Sequence, residues 1–311
     1  MARVVVTGAA GFIGRALCAG LVERGHRVLG LTRTPAEAIP GVELRPIGEI
    51  TACTYWAEHL AGSDIVIHLA NRAHRPVASQ AAAHEAKTGA RLARAAAASR
   101  VRRLVHMSSI RVMGEATRPD APFRPSDPAL PSEAYGRNKL AIERALVAAA
   151  QETGLELVIL RPPLVYGPAV GANFEALIRL AASGLPLPFA GIDNRRSLIF
   201  LANLVDVTAR AAVHPDAAGR SLLARDATDL STEELIRRLA AAIGRPARLF
   251  ALPEAALAAG RRLPALGPML ARLTQSLQVD DTATRRLLDW APPVSTEIGL
   301  SATARAFRGA S

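Results

Sequence analysis

The chain of 311 residues contains one tyrosine and one lysine whose spacing suits acid–base chemistry, Tyr135 and Lys139. It has only three tyrosines and two lysines, and one of each lies in the segment SEAYGRNKLAIE (132–143). A spacing of i, i+4 places both side chains on one face of a helix. A phenol with a pKa of about 10 becomes a useful base at neutral pH when a nearby ammonium stabilises its phenolate. The sequence therefore predicts a Tyr–Lys proton-transfer pair in the first turns of a helix.

A glycine-rich loop, TGAAGFIG (7–14), lies between a predicted strand (3–8) and a predicted helix (12–25). Glycines in this context permit a tight turn and let backbone N–H groups approach a pyrophosphate at the helix N-terminus. The strand before and the helix after make the pattern specific. Gly8, Gly11 and Gly14 are therefore predicted to hold a dinucleotide.

The end of the second strand selects between dinucleotides. A carboxylate there bonds the ribose 2′-hydroxyl of NAD, whereas a basic residue accommodates the 2′-phosphate of NADP. Thr32 and Arg33 occupy this place, and neither is acidic. The sequence favours NADP(H), with NAD(H) as the alternative.

Short β-branched runs alternate with alanine-rich helical segments through the first half of the chain. This alternation predicts an α/β fold, a Rossmann-type doubly wound parallel sheet with helices on both faces. We expect residues 1–168 to form this dinucleotide-binding domain and residues 169–311 to form mainly a smaller, irregular substrate-binding lobe. The chain is expected to return to the sheet near 197–225. The remaining strands are predicted at 27–33, 64–71, 102–109 and 156–162.

Composition excludes several other classes of protein. The net charge is +11, but 36 of the 38 basic residues are arginine, they are scattered, and aromatic residues make up 4%. Few rings are available to stack on bases, so no nucleic-acid partner is expected. The chain has no uninterrupted apolar run of about 18 residues, so we expect no integral membrane segment. The two cysteines, Cys18 and Cys53, are too few for a disulfide framework or a metal cluster, so we expect a cytoplasmic protein without a metal site.

Six motifs together resemble the extended short-chain dehydrogenase/reductases, the group that contains UDP-galactose 4-epimerase and related nucleotide-sugar epimerases and reductases. The resemblance covers most of the chain. The motifs, in order, are TGAAGFIG, DIVIHLAN, HMSSIRVMG, YGRNK, LRPPLVYGP and VDDTATRRLLDWAPP.

The resemblance implies roles for individual residues. The catalytic tyrosine and lysine of the family fall on Tyr135 and Lys139, and its active-site hydroxyl falls on Ser109. The lysine also binds the nicotinamide ribose in this family. The implied cofactor-binding residues are Gly8, Gly11, Phe12, Ile13, Gly14, Thr32, Arg33, Leu69, Ala70, Asn71, Tyr135, Lys139 and Pro162. The implied substrate-binding residues are Ser109, Ile110, Pro163, Asn173, Phe174 and Arg196, the last as a clamp for the diphosphate.

The chain departs from the family pattern at three positions. Asn138 replaces the serine that commonly precedes the lysine. Leu164 replaces a substrate-contacting asparagine. Ala86 stands three residues before Gly89, where an asparagine is common.

The family's dehydratases carry an acidic pair directly after the catalytic hydroxyl, and here these positions are Ile110 and Arg111. Dehydration therefore lacks its acid–base partner. Arg33 favours an NADPH-dependent reductase of a UDP-4-keto-6-deoxy-hexosamine in surface polysaccharide synthesis. An NAD-dependent 4-epimerase of UDP-glucose or UDP-GlcNAc is the alternative, and a non-catalytic NADP-sensing protein is an alternative of another class.

The family also implies an assembly. Many of its members form a homodimer through a four-helix bundle, for which the helices around 81–99 and 134–153 are expected. The alanine-rich faces of these helices suit close packing.

Overall fold

The structure is a computed structural model that describes residues 1–51, 53–70, 79–118, 120–264 and 267–309, with the backbone alone at 79–82 and 172–173. Its central sheet has seven parallel strands in the order β3-β2-β1-β4-β5-β6-β9, which confirms the predicted fold class. The strands of the chain are β1 (Arg3–Thr7), β2 (Arg27–Thr32), β3 (Val42–Pro46), β4 (Ile65–His68), β5 (Arg103–Met107), β6 (Glu156–Leu160), β7 (Leu164–Tyr166), β8 (Leu198–Phe200) and β9 (Ser221–Leu222).

Helices cover both faces of the sheet because successive strand residues point to opposite sides. Val4 and Val6 join the core beneath α1 and α6, whereas Val5 joins the core beneath α3 and α4. The helices are α1 (Phe12–Glu23), α2 (Ala57–Leu60), α3 (Ser79–Ala98), α4 (Ala134–Thr153), α5 (Ala172–Ala182), α6 (Leu201–Val213), α7 (Thr232–Ile243), α8 (Glu254–Arg261), α9 (Gly267–Thr274), α10 (Thr282–Leu288) and α11 (Thr296–Gly309).

The strands end earlier than the sequence predicts, and this shapes the site. The fifth strand ends at Met107 rather than at Ser109. Ser109 instead precedes a single 3-10 turn, Ile110–Val112, and its hydroxyl accepts a hydrogen bond from the Arg111 N–H at 3.3 Å. This bond satisfies a donor at the start of the turn.

After β6 the chain builds a second core around α5, α7 and α11, and re-enters the main sheet at β9 beside β6. The strands β7 and β8 form a separate two-stranded sheet. A buried carboxylate, Asp226, connects these parts. The Tyr166 hydroxyl donates to its Oδ2 at 2.6 Å, and the Phe200 N–H and Asn203 Nδ2 donate to its Oδ1 at 2.9 and 2.7 Å. Three partners offset the cost of burying this group.

Within the described ranges, no helix combines the length and the apolar character needed to cross a membrane.

Candidate active site at the carboxyl end of the sheet

The glycine loop connects β1 to α1 at the point where the strand order reverses. Gly8 has a φ of +74°, and the Gly11 N–H donates to the Gly8 carbonyl at 3.0 Å, which closes a tight turn. A Cβ on Gly14 would lie 2.1 Å from the Gly8 oxygen, so only glycine allows this approach of helix and loop. Phe12 and Ile13 begin α1, and no side chain caps this helix. The backbone N–H groups of its first turn thus form an anion site.

A cavity of about 440 Å³ extends from this loop along the ends of the strands. Two polar atoms on its lining residues, Thr32 Oγ1 and Glu85 Oε1, are buried without a hydrogen-bond partner in the described part of the chain. The glycine cradle, the helix N-terminus and these two atoms fit a dinucleotide. The lining residues are Gly8, Ala10, Gly11, Leu31, Thr32, Arg33, Thr34, Ile47, Gly48, Glu49, Ile50, His68, Leu69, Ala70, His84, Glu85, Thr88 and Ile142.

Six of the predicted cofactor residues line the cavity: Gly8, Gly11, Thr32, Arg33, Leu69 and Ala70. The described lining does not include Phe12, Ile13, Gly14, Tyr135, Lys139 or Pro162. Asn71 lies outside the described residues.

Pro162 and Pro163 are buried, and the Ile110 N–H donates to the Pro162 carbonyl at 2.9 Å. This bond joins the start of the 3-10 turn to the chain after β6. Ile110 itself is 2% exposed and packs in a small apolar cluster, so its side chain supports the turn. We therefore do not retain Ile110 as a substrate contact.

Tyr135 lies in the first turn of α4, with its hydroxyl hydrogen-bonded to Ser109. The pKa of Tyr135 is raised, chiefly because burial disfavours the phenolate; Ser109 and the Arg111 guanidinium act in the opposite direction, and Glu85 raises it further. Burial outweighs these two effects, so the surroundings of Tyr135 favour the protonated phenol. The role of Lys139 in stabilising the phenolate stays a prediction.

Lys139 lies one turn further along α4 and is 3% exposed. Its ammonium donates to the Met107 carbonyl at 2.9 Å, which ties α4 to the end of β5. Burial lowers the pKa of Lys139 to about 8, and the carboxylates of Glu85 and Glu143 oppose this effect. The ammonium is thus charged at neutral pH by a narrow margin.

Two buried histidines lie at the ends of the adjacent strands β4 and β5. The rings of His68 and His106 stack with centroids 5.5 Å apart, and His68 Nδ1 shares a 2.8 Å hydrogen bond with the Thr7 hydroxyl. Burial, with a smaller effect of Lys139, lowers the pKa of His68 to about 3 and that of His106 well below its usual value. Both rings are neutral, so they add no positive charge beside Lys139.

Three arginines form a cluster that reaches Tyr135 through Arg111, with one carboxylate between two of them. Glu133 pairs with Arg111 at 3.2 Å and with Arg272 at 3.5 Å. Arg196, the predicted diphosphate clamp, donates instead to the backbone carbonyls of Arg272 and Gln275. Burial, together with Arg111 and Arg272, lowers the pKa of Arg196 to about 10. The structure thus gives Arg196 a structural role within a cluster that carries excess positive charge.

Phe174 is predicted to bind substrate, but the structure buries it in the core of the second lobe. Its side chain is 1% exposed and stacks on Tyr166 at 5.3 Å in the core of the second lobe. Aromatic side chains gain most from such burial, which explains the position. The side chain of Asn173 lies outside the described residues.

Sequence reasoning missed Glu85, Glu49 and Ile50, all of which line the cavity. The last two follow β3, and an acidic residue followed by an apolar one at a strand end could have identified them. Ala86 stands where the family commonly has an asparagine, and the neighbouring Glu85 lines the cavity.

A family model described as the NAD dependent epimerase/dehydratase family matches residues 4–222. The chain belongs to this family. The resemblance to extended short-chain dehydrogenase/reductases is confirmed, and with it an NAD(P)-dependent enzyme of the nucleotide-sugar epimerase and reductase group. A UDP-glucose 4-epimerase of Vibrio cholerae is 36% identical over 313 residues, which cover 98% of this chain and 95% of that protein.

Two solved structures have folds similar to that of this chain. MoeE5 in complex with UDP-glucose and NAD is 26% identical, with a TM-score of 0.78 and 99% of each chain covered. UDP-glucuronic acid 4-epimerase from Bacillus cereus in complex with NAD has a TM-score of 0.78, again with 99% of each chain covered. At 20% identity, this second likeness concerns the fold alone.

Proposed function

We propose that the protein is a 4-epimerase of UDP-hexoses. The observation that carries this proposal is the interacting Ser109–Tyr135 pair with the buried Lys139 one turn along α4. This group lies next to the cavity at the glycine loop, because Glu85 lines that cavity and binds Asn138, the residue before Lys139. The 36% identity to the Vibrio cholerae UDP-glucose 4-epimerase supports the 4-epimerase over the reductase that the sequence alone favours. When bound, a nicotinamide dinucleotide supplies a site that accepts a hydride from the sugar carbon and returns it.

The residues of this chain would supply the proton chemistry. Tyr135 would remove the proton of the sugar hydroxyl during oxidation and return a proton to the same oxygen during reduction. Ser109, hydrogen-bonded to Tyr135, would bind the same oxygen. Lys139 would contribute a positive charge, positioned by its hydrogen bond to the Met107 carbonyl at the end of β5. It would also bind the ribose of the cofactor. The glycine loop and α1 would hold its pyrophosphate.

The charge of the arginine cluster near Tyr135 supports an anionic substrate. Arg111, Arg196 and Arg272 outnumber the single carboxylate of Glu133 among them. Guanidinium groups at a cleft attract and orient a diphosphate. A nucleoside diphosphate sugar is the class of substrate that this arrangement suits.

C4 ketoreduction is the second candidate, and Arg33 is the observation that favours it. Arg33 is exposed and lines the cavity at the end of β2, together with Thr32 and Thr34. A cation at this place suits the 2′-phosphate of NADP. A reductase would exchange its cofactor at each turnover, whereas an epimerase recycles the cofactor in place.

The test begins with the protein purified without added cofactor, denatured, and analysed for released dinucleotide. We expect near-stoichiometric NAD, and the native protein should interconvert UDP-glucose or UDP-GlcNAc with its C4 epimer, as followed by proton NMR. An empty protein that binds NADPH more tightly than NADH and reduces a 4-keto UDP-sugar once would establish the reductase instead. Binding of NADP without turnover of either substrate class would indicate the sensor and refute both enzymatic proposals.

We also propose a cytoplasmic homodimer, in which α3 and α4 of each chain form a four-helix bundle. The two helices already pack against each other along one face. The free thiols of Cys18 and Cys53 are consistent with a reducing compartment. Sedimentation velocity at micromolar concentration should give a single species of twice the chain mass of 32.7 kDa, and a monomer alone would contradict the dimer.

A further inference from the structure

Glu85 is the only carboxylate of α3, and it lies between the cavity and the catalytic helix. Its Oε2 accepts a 2.7 Å hydrogen bond from Asn138 Nδ2, and Asn138 is itself 3% exposed. This bond fixes the carboxylate beside the residue that directly precedes Lys139. The other oxygen, Oε1, is buried and has no hydrogen-bond partner in the described part of the chain. Its Oε2 is thus bound to a neutral amide, and its negative charge is not paired with a cation there.

Lys139 needs a counter-charge because it is buried. Its hydrogen bond to the Met107 carbonyl supplies a dipole and no net charge. The stacked rings of His68 and His106 are neutral. An ammonium enclosed by such groups is costly unless a carboxylate lies nearby.

Two carboxylates, those of Glu85 and Glu143, favour the charged form of Lys139. One of them, Glu143, is already paired with another cation. Glu143 forms a two-point ion pair with the buried Arg161, at 3.0 Å from Nε and 2.6 Å from Nη2. Its charge is therefore largely compensated by a closer cation. Glu85 has the neutral Asn138 amide as its partner. Its field at Lys139 is therefore the less compensated of the two.

We propose that Glu85 is a positioning residue that holds the buried Lys139 in its ammonium form and thereby sets the pH range in which the Tyr135–Lys139 pair operates. The inference deepens the proposed function and rests on it for the catalytic consequence. It gives a purpose to one departure from the usual family residues, because Asn138, in place of serine, binds Glu85. The same negative charge also contributes, less than burial does, to the raised pKa of Tyr135.

The test uses the fact that the chain has only two lysines, Lys87 and Lys139. In protein labelled with ¹³C-lysine, the two Cε signals are assigned with a Lys87→Arg variant and titrated by NMR without substrate. We expect the Lys139 midpoint at about pH 8 in the wild-type protein. Glu85→Gln preserves the shape and the acceptor for Asn138 but removes the charge. It should lower the midpoint by at least about 0.5 pH unit, since it removes a nearby negative charge that favours the ammonium form.

Two further variants test whether the charge of Glu85, and not that of any carboxylate, sets the Lys139 midpoint. Glu85→Asp keeps the charge and should restore most of the wild-type midpoint. Glu152→Gln removes one carboxylate from the exposed end of α4, where it pairs with Arg94, and should leave the midpoint unchanged. In the active enzyme, the alkaline limb of the kcat/KM profile of Glu85→Gln should move to lower pH by the same amount as the NMR midpoint.

An unchanged midpoint in folded Glu85→Gln would overturn the proposal, as would an equal shift in Glu152→Gln. The thermal unfolding midpoint of each variant establishes that it is folded. Because the titration is read without substrate, it is independent of the reaction assigned to the site. A lowered Lys139 midpoint in a protein without epimerase or reductase activity would refute the proposed function and retain Glu85 as the counter-charge.

Discussion

Replacement of Tyr135 by phenylalanine is expected to lower kcat by about 10³-fold, because it removes the group that transfers the proton of the reacting hydroxyl. The ring remains, so the packing of the first turn of α4 is preserved. The cavity that fits the dinucleotide is lined by other residues. Dinucleotide affinity, measured by isothermal titration calorimetry, should therefore change by less than about threefold, which is less than about 0.7 kcal/mol.

Tyr55 provides the matched control, since it is 70% exposed and distant from the site in sequence. Tyr55→Phe should retain wild-type kcat. Ser109→Ala should also reduce kcat, because Ser109 is hydrogen-bonded to Tyr135 and would bind the same substrate oxygen. Wild-type turnover in Tyr135→Phe would remove the tyrosine from the mechanism and favour the non-catalytic sensor.

The largest effect on stability is expected for Glu143→Gln. Glu143 and Arg161 are 3% and 8% exposed and form a two-point ion pair between α4 and the chain just after β6. Arg161 Nη1 also contacts the Met113 sulfur at 3.1 Å, so the guanidinium is enclosed by protein. Removing one partner of a buried pair leaves an uncompensated charge, which costs about 3–5 kcal/mol. Urea unfolding followed by circular dichroism should show this loss in the free energy of unfolding.

The same helix offers a comparison pair at its other end. Glu152 accepts three hydrogen bonds from Arg94, but both side chains are more than half exposed. Water and salt screen this pair, so Glu152→Gln should leave the urea midpoint nearly unchanged. Equal losses in the two variants would mean that the Glu143–Arg161 pair contributes as little as a surface pair does.

The parts of the site that the sequence predicts correctly are those encoded by local spacing. Gly8, Gly11 and Gly14 are required by backbone geometry within one turn, and the i, i+4 spacing brings Tyr135 and Lys139 to one face of α4. The parallel sheet follows from alternation along the chain. Short-range patterns of this kind survive into the folded structure because few distant residues can change them.

The parts that the sequence predicts poorly depend on contacts between distant elements. Arg196 bonds carbonyls about eighty residues away, and Phe174 fills a core that forms only when the second lobe is assembled. The position of Glu85 depends on the phase of α3 against α4, which no local motif specifies. The sign of the Tyr135 pKa shift depends on burial, and burial is a property of the whole fold.

The carboxylate of Asp226 limits how the protein can be recombined with its relatives. It binds Tyr166 from β7, the N–H of Phe200 at the end of β8 and Asn203 from α6, so one buried carboxylate connects three elements of the chain. A chimera that exchanges the chain after β7 must carry compatible partners for this group, or it will bury an unpaired carboxylate. Recombination boundaries for altering substrate choice should therefore keep Tyr166, Asn203 and Asp226 from the same parent.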